Sequence, residues 1–292
     1  MRRRDFVLAG LLCAAWPARA ARPGRFESGL LWRVSKPGVA PSHVYGTIHV
    51  ADPRLAELPA TVGEAFARAR SLMLEFLPDA YSKERFVEAA MFLDQQTLAQ
   101  KIGRADFERA VEQLQPAGLT REFISKMKPW GVLLNLRNPG GAEGAPLDSI
   151  LIEQARRRRL PLFQIEGVEE QIFTFDEFPM ESQVALLKHS LVHRGELLAL
   201  GEHTLKAYLE RDLGGIWRLR EEFLARHPQV AAHQAVMTKR VLYDRSVVMA
   251  FRMQRQLRRG NAFIALGALH LYGEKGVLAL VEEDGYRVSR VY

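Results

Sequence analysis

Two histidines share one local pattern: Gly46-Thr47-Ile48-His49 and Gly267-Ala268-Leu269-His270. Each unit adjoins an apolar run that reads as a buried strand. Imidazole binds divalent ions and also exchanges protons near neutral pH. A single carboxylate, Glu75, interrupts the run Leu72-Met73-Leu74-Glu75-Phe76-Leu77. Burying such a group is costly unless it is paired or bound to metal. Two imidazoles and one carboxylate suffice to hold zinc, manganese, cobalt or iron(II), with positions left for water and substrate. Without an ion, the same residues read as a histidine general base oriented by a glutamate.

Other residues carry weaker signals. Arg245 lies on a long helical stretch and reads either as an oxyanion or carboxylate binder or as a surface partner of Asp244. Glu166 ends an apolar run as Glu75 does, and reads equally as a pocket carboxylate or as a cap for the helix that follows. His189 and His193 are four apart, a spacing that can bind metal. With no His-Glu-x-x-His context, they read with His203, His227 and His233 as solvated helix faces.

The histidines of the two units are 221 residues apart, so the fold must bring the chain ends together. Leu30 to Val34, the turn Lys36-Pro37-Gly38 and Ser42 to Val50 read as a hairpin delivering His49 to a strand end. Apolar positions Val62, Phe66 and Ala69 predict a helix, followed by the strand that carries Glu75. From about residue 80 to 140 the spacing is helical, as at Phe107, Val111 and Leu114. Asn138-Pro139-Gly140-Gly141 to Pro146 is the most turn-rich stretch and reads as a surface loop. Asp148 is placed to cap a helix ending in Arg156-Arg157-Arg158-Arg159, whose charges suit a solvated helix C-terminus. Leu160 to Glu166 predicts another strand. Helices follow over Glu169 to Phe175, Glu181 to His193, Glu196 to Tyr208, Leu213 to Arg226 and Gln234 to Arg258. Ala262 to Leu266 and Val288 to Tyr292 are the last strands, with a short helix from Gly273 to Val281 and a hairpin-type turn at Asp284-Gly285 between them. The expected class is α/β (α+β): one domain with a mixed sheet of N- and C-terminal strands and a large helical middle.

Composition allows a sizeable core: 292 residues, 48% hydrophobic and 26% charged. Arg2-Arg3-Arg4, the apolar segment Phe6 to Trp16 and Ala18-Arg19-Ala20 form an export-signal pattern, with residues 1–20 as signal and 21–292 as the mature domain. Arg3-Arg4-Asp5-Phe6-Val7 also resembles a twin-arginine signal. Removing the segment lowers the net charge from +7 to +4. That modest, scattered excess argues against nucleic-acid binding, and no membrane span is expected after cleavage. The one cysteine, Cys13, lies within the signal. The mature chain therefore has no disulfide, thiol nucleophile or thiolate metal site. A periplasmic or secreted location follows as the expectation.

Taken in order, the blocks resemble the TraB/GumN family, which includes the TIKI metalloproteases. The matching stretches are Gly29 to Val34, Tyr45 to Val50, the Glu75 strand, Lys128-Pro129-Trp130, Leu147-Asp148-Ser149, Glu166 with Glu170-Gln171, and Asp244-Arg245 through Gly267 to His270 and Gly285 to Val288. The resemblance implies a single α/β domain. In its metalloprotease branch it implies a site of His49, Glu75 and His270, with Arg245 in support. The chain departs from the family pattern at Ser246, where asparagine commonly follows the arginine. Three functions stand open. The first is an exported metal-dependent hydrolase acting on a peptide or small molecule, with manganese, cobalt or zinc between His49, Glu75 and His270. The second is a metal-free histidine-based esterase. The third is a non-catalytic periplasmic binder of peptide or glycan.

Overall fold

The apolar runs at the two chain ends meet in one sheet. The structure is a computed structural model describing residues 26–137 and 145–292. The expected signal segment and residues 138–144 of the expected surface loop lie outside the described residues. Strands β1 (Leu31–Lys36), β2 (Val39–Thr47), β3 (Ser71–Leu74), β4 (Leu162–Gln164), β5 (Ala262–Gly267) and β6 (Arg287–Arg290) form a mixed sheet ordered β4-β3-β5-β2-β1-β6. β5 lies between β3 and β2 and runs parallel to both, with Gly267 opposite Thr47 and Ala265 opposite Leu74. All six residues of β5 are buried. Such a continuous apolar run is what a parallel strand covered on both faces requires. β1 pairs antiparallel with β2 and with β6.

This topology puts the carboxyl ends of β2, β3 and β5 side by side. Ligands bind at such ends in open α/β sheets. Glu75 follows β3 directly, His49 lies two residues beyond β2 and His270 three beyond β5. The sheet core includes Tyr45, Phe66 and Phe263, and the rings of Phe66 and Phe263 meet edge to face at 5.1 Å. Phe66 comes from helix Ala60–Ala67. The helical middle builds its own apolar cluster around Leu98, Phe107, Ile124 and Leu187.

Several local expectations change. The long helix expected over Gln234 to Arg258 is helical throughout but not α-helical throughout. Helix Ala231–Thr238 passes through a π-helical stretch, Lys239–Asp244, into helix Arg245–Arg259. π-helical turns of this kind gather at functional sites. Asp284-Gly285 is not a hairpin turn. It joins helix Val277–Glu283 to β6, whose partner β1 comes from the other end of the chain. The four-arginine run is only partly solvated: Arg158 donates to the carbonyls of Phe66 and Ala67 at 2.7 Å each, and its guanidinium lies 5.1 Å from the Phe66 ring. Among the described residues no helix is long and apolar enough to cross a membrane.

Candidate active site

Each glycine of the paired motifs makes room for the other motif. A Cβ on Gly46 would come within 3.1 Å of Ala268 Cα and 3.0 Å of the Leu271 side chain. A Cβ on Gly267 would come within 3.1 Å of His49 Nε2, 3.2 Å of Glu75 Oε1 and 3.6 Å of His270 Cδ2. Glycine at 267 thus keeps open the space that the three candidate side chains share. Tyr208, buried on helix Arg194–Leu209, donates to the Gly46 carbonyl at 2.7 Å and braces the end of β2.

The two histidines are held alike. His49 Nδ1 lies 2.9 Å from Asp148 Oδ2, and Thr47 Oγ1 donates to Asp148 Oδ1 at 3.2 Å. His270 Nδ1 lies 2.9 Å from Ser246 Oγ. With each Nδ1 engaged, both Nε2 atoms face Glu75 Oε1, each at 3.9 Å. Asp148 was expected as a helix cap. Helix Leu147–Arg157 instead starts after Pro146 with no side-chain cap, and Asp148 in its first turn reaches across to β2. Ser246, where the family pattern suggested a missing amide, supplies the hydroxyl that fixes the His270 ring.

The two imidazoles differ sharply in charge. Protein around His49 opposes its protonation, but the hydrogen bond to Asp148 and the carboxylates of Asp148 and Glu75 outweigh this, holding it up at about 9. Its own surface remains open, with the side chain 59% exposed. Burial dominates at His270 and pushes it down to about 4, despite the attraction of Glu75. Burial alone would raise the Glu75 carboxyl; His270 when charged, Arg245, His49 and the Gly267 N–H outweigh it and hold it down to about 2. Because His270 is neutral at pH 7, Arg245, His49 and Gly267 maintain the Glu75 charge there. The Gly267 N–H donates to Oε1 at 2.5 Å.

Arg245 is buried with two carboxylates. Its terminal nitrogen NH2 donates to Glu75 Oε2 and to Glu166 Oε2, each at 2.7 Å, its Nε to Glu166 Oε1 at 3.1 Å, and its NH1 to the Val241 carbonyl at 3.3 Å. The alternative of a surface pair with Asp244 is thereby overturned; Asp244 binds Lys239. Glu166 belongs to this buried network, and Gln171 donates to it at 2.5 Å. The following helix, Val168–Asp176, is closed instead by Glu170, which accepts from the Gly167 N–H at 3.0 Å.

The donor types at His49, Glu75 and His270 are ones that divalent ions take, although their ligand atoms do not all lie within 4.8 Å of one another, and Asp148 and Ser246 stand where the outer partners of metal-binding histidines commonly do. The spacing is that of an open shell, since tetrahedral zinc donors lie about 3.4 Å apart. His49, whose side chain is exposed, is the member with room to adjust. Among the described residues, the group with all ligand atoms within 4.8 Å of one another is a different one: His189, His193 and His227. These were expected on solvated helix faces. His189 and His227 are buried instead, because the helices carrying them pack together with Phe223.

The sequence profile of the TraB/PrgY/gumN family matches residues 30–290. The chain belongs to this family. It is 24% identical to Metalloprotease TIKI2 of Danio rerio over a region covering 90% of this chain and 61% of that protein. The corresponding protein of Xenopus tropicalis is also 24% identical, over 90% of this chain and 60% of its own length. The chain thus spans about three fifths of these curated relatives. It is 24% identical to the uncharacterized protein YbaP of Shigella flexneri, covering 82% of this chain and 88% of YbaP. No solved structure matches the chain. The family and the mixed-sheet α/β class expected from the sequence both hold. What sequence reasoning missed is Asp148 as the partner of His49. Its signal was present in Leu147-Asp148-Ser149, but position alone reads there as a cap.

Proposed function

We propose that this chain is an exported, metal-dependent hydrolase of the peptidase type. The observation that carries the reading is the convergence of His49 Nε2 and His270 Nε2 on Glu75 Oε1 at the carboxyl ends of three parallel strands. The similarity to a metalloprotease supports the reaction class. His49, Glu75 and His270 would hold the ion. A divalent ion in such a place supplies Lewis acidity for attack on an amide carbonyl. Asp148 and Ser246 fix the rings so that each Nε2 faces Glu75, and His49, held protonated by its carboxylate neighbours, would give up its Nε2 proton when an ion binds. Gly267 fixes Oε1 of Glu75 through its N–H, and Arg245 fixes Oε2. All three Arg245 guanidinium nitrogens have protein partners, so we assign Arg245 to positioning Glu75 rather than to holding substrate. The exposed ring of His49 is the side from which substrate would approach. Export rests on the N-terminal signal pattern, and a periplasmic or secreted location goes with it.

Metal analysis and peptide hydrolysis with the purified chain test the proposal. A bound divalent ion, cleavage stopped by chelator, and loss of both in His49→Ala are the expected results. No ion uptake by the wild-type chain, or uptake and cleavage unchanged in His49→Ala, would count against it. A metal-free esterase is the second reading, resting on His270 buried beside Glu75, an imidazole and carboxylate that can act together as a base. Activity that survives chelation but disappears in His270→Ala would select that reading.

A further inference from the structure

Away from the sheet, three imidazoles crowd together in the helical middle. His189 lies on helix Met180–Val192, His193 at its junction with helix Arg194–Leu209, and His227 at the end of helix Leu213–Arg226. Ring centroids are 4.4 Å apart for His189 and His193, 4.6 Å for His189 and His227, and 4.6 Å for His193 and His227. Phe223 closes one side, its ring 4.5 Å from His227.

The hydrogen bonding of this cluster is incomplete. Glu196 takes His193 Nδ1 at 2.9 Å through one oxygen and His227 Nε2 at 3.1 Å through the other. An imidazole that donates from one nitrogen keeps a lone pair on its other nitrogen. A neutral ring that donates to this carboxylate has its other nitrogen free to bind an ion. His189 is 8% exposed, and its Nε2 is buried with no hydrogen-bond partner. An unmet buried polar atom costs about 1–3 kcal/mol, and ring packing, with His189 and His193 stacked and His227 edge-on to both, does not satisfy it. One ligand atom from each ring lies within 4.8 Å of the other two.

We infer that His189, His193 and His227 form a second, structural metal site, with Glu196 as the carboxylate that orients two of the rings. Three imidazoles suit zinc and the neighbouring late first-row divalent ions. The site ties together three helices in a domain whose described residues hold no cysteine, so it supplies a cross-link that disulfides cannot. It shares no residue with the pocket at the strand ends. Its lining by Phe223 and the burial of two rings mark it as closed rather than open to substrate.

The experiment uses the chelator-stripped full chain carrying His49→Ala and His270→Ala, which removes two donors of the other pocket. Zinc is titrated against a chromophoric chelator, with thermal unfolding followed in parallel. The inference expects one zinc equivalent bound and a zinc-dependent rise in Tm. Adding Glu196→Gln should weaken binding about 10–100-fold, as loss of an outer carboxylate partner does, and adding His189→Asn should abolish it. If that last variant does not fold, X-ray absorption of the zinc-loaded double variant replaces it and should show three imidazole nitrogens around zinc. No zinc bound by the double variant, undiminished binding after His189→Asn, or a zinc shell without imidazoles would overturn the inference.

Discussion

The strand-end pocket and the helical histidine cluster both gather imidazoles around a carboxylate, yet they are built in opposite ways. At the strand ends each Nδ1 has a hydrogen-bond partner, the shared carboxylate is tied by a backbone N–H and an arginine, and one ring is exposed. In the cluster the rings touch one another, the carboxylate is on the outside, and one buried nitrogen has no partner. The first arrangement holds donors apart around a space kept clear by Gly267. The second brings one ligand atom of each ring within 4.8 Å of the others. On the readings proposed above, the contrast separates a site that admits a reactant from one that an ion closes.

Breaking the charge network should show the largest difference between the regions. Arg245→Ala leaves Glu75 and Glu166 buried without their cation, which should cost about 3–5 kcal/mol of stability. Glu196→Ala removes a carboxylate whose side chain is 43% exposed and should cost far less. Urea unfolding of both variants makes the comparison; equal losses would mean that the pocket carboxylates are not held by Arg245 as described.

The outer partners give the next effect. Asp148→Asn should reduce metal affinity and hydrolysis about 10–100-fold, and the His49 pKa should fall from about 9. NMR titration of the imidazole reads that fall directly. An unchanged pKa would remove Asp148 from the site.

Acid is a gentler probe that acts on both regions at once. In metal-free protein, burial holds His270 and His189 at about 4, below the ordinary 6.5 of the unfolded chain. Between pH 6.5 and 4 the unfolded state then binds more protons, so stability falls as pH falls. His49 has the opposite sign: its raised pKa adds stability that is full below pH 6.5 and lost as pH rises through about 9. Chelator-treated protein should therefore lose Tm on acidification from pH 6.5 to 4. His189→Asn should remove part of that slope and leave the His270 part. A slope unaltered by His189→Asn would show that the cluster is not a buried neutral group.

The pocket was far more legible in the sequence than the cluster. His49 and His270 repeat one pattern beside apolar strands, and Glu75 stands alone in an apolar run, so burial cost marks all three. Arg245 could be flagged but not placed, because the π-helical stretch before it has no plain sequence signature. Asp148 reads as a cap because its partner is 99 positions away. The cluster was half visible as His189 and His193 at helical spacing. His227 comes from another helix, and only packing shows that these rings are buried. That N- and C-terminal strands share one sheet followed from apolar patterning, but their order did not, and the Asp284-Gly285 turn reads as a hairpin because local chemistry does not reveal a partner strand at the opposite chain end.

The most direct test of the central claim compares wild type and His49→Ala for peptide cleavage by the purified chain, with manganese or zinc and again with chelator. His49 lies at the surface, so its truncation spares the core. The account predicts ion-dependent cleavage by the wild type, lost on chelation and reduced about 10²–10⁴-fold in His49→Ala, the range expected when a positioned catalytic side chain is removed. Cleavage that proceeds equally in His49→Ala, or that ignores the chelator in the wild type, would contradict it.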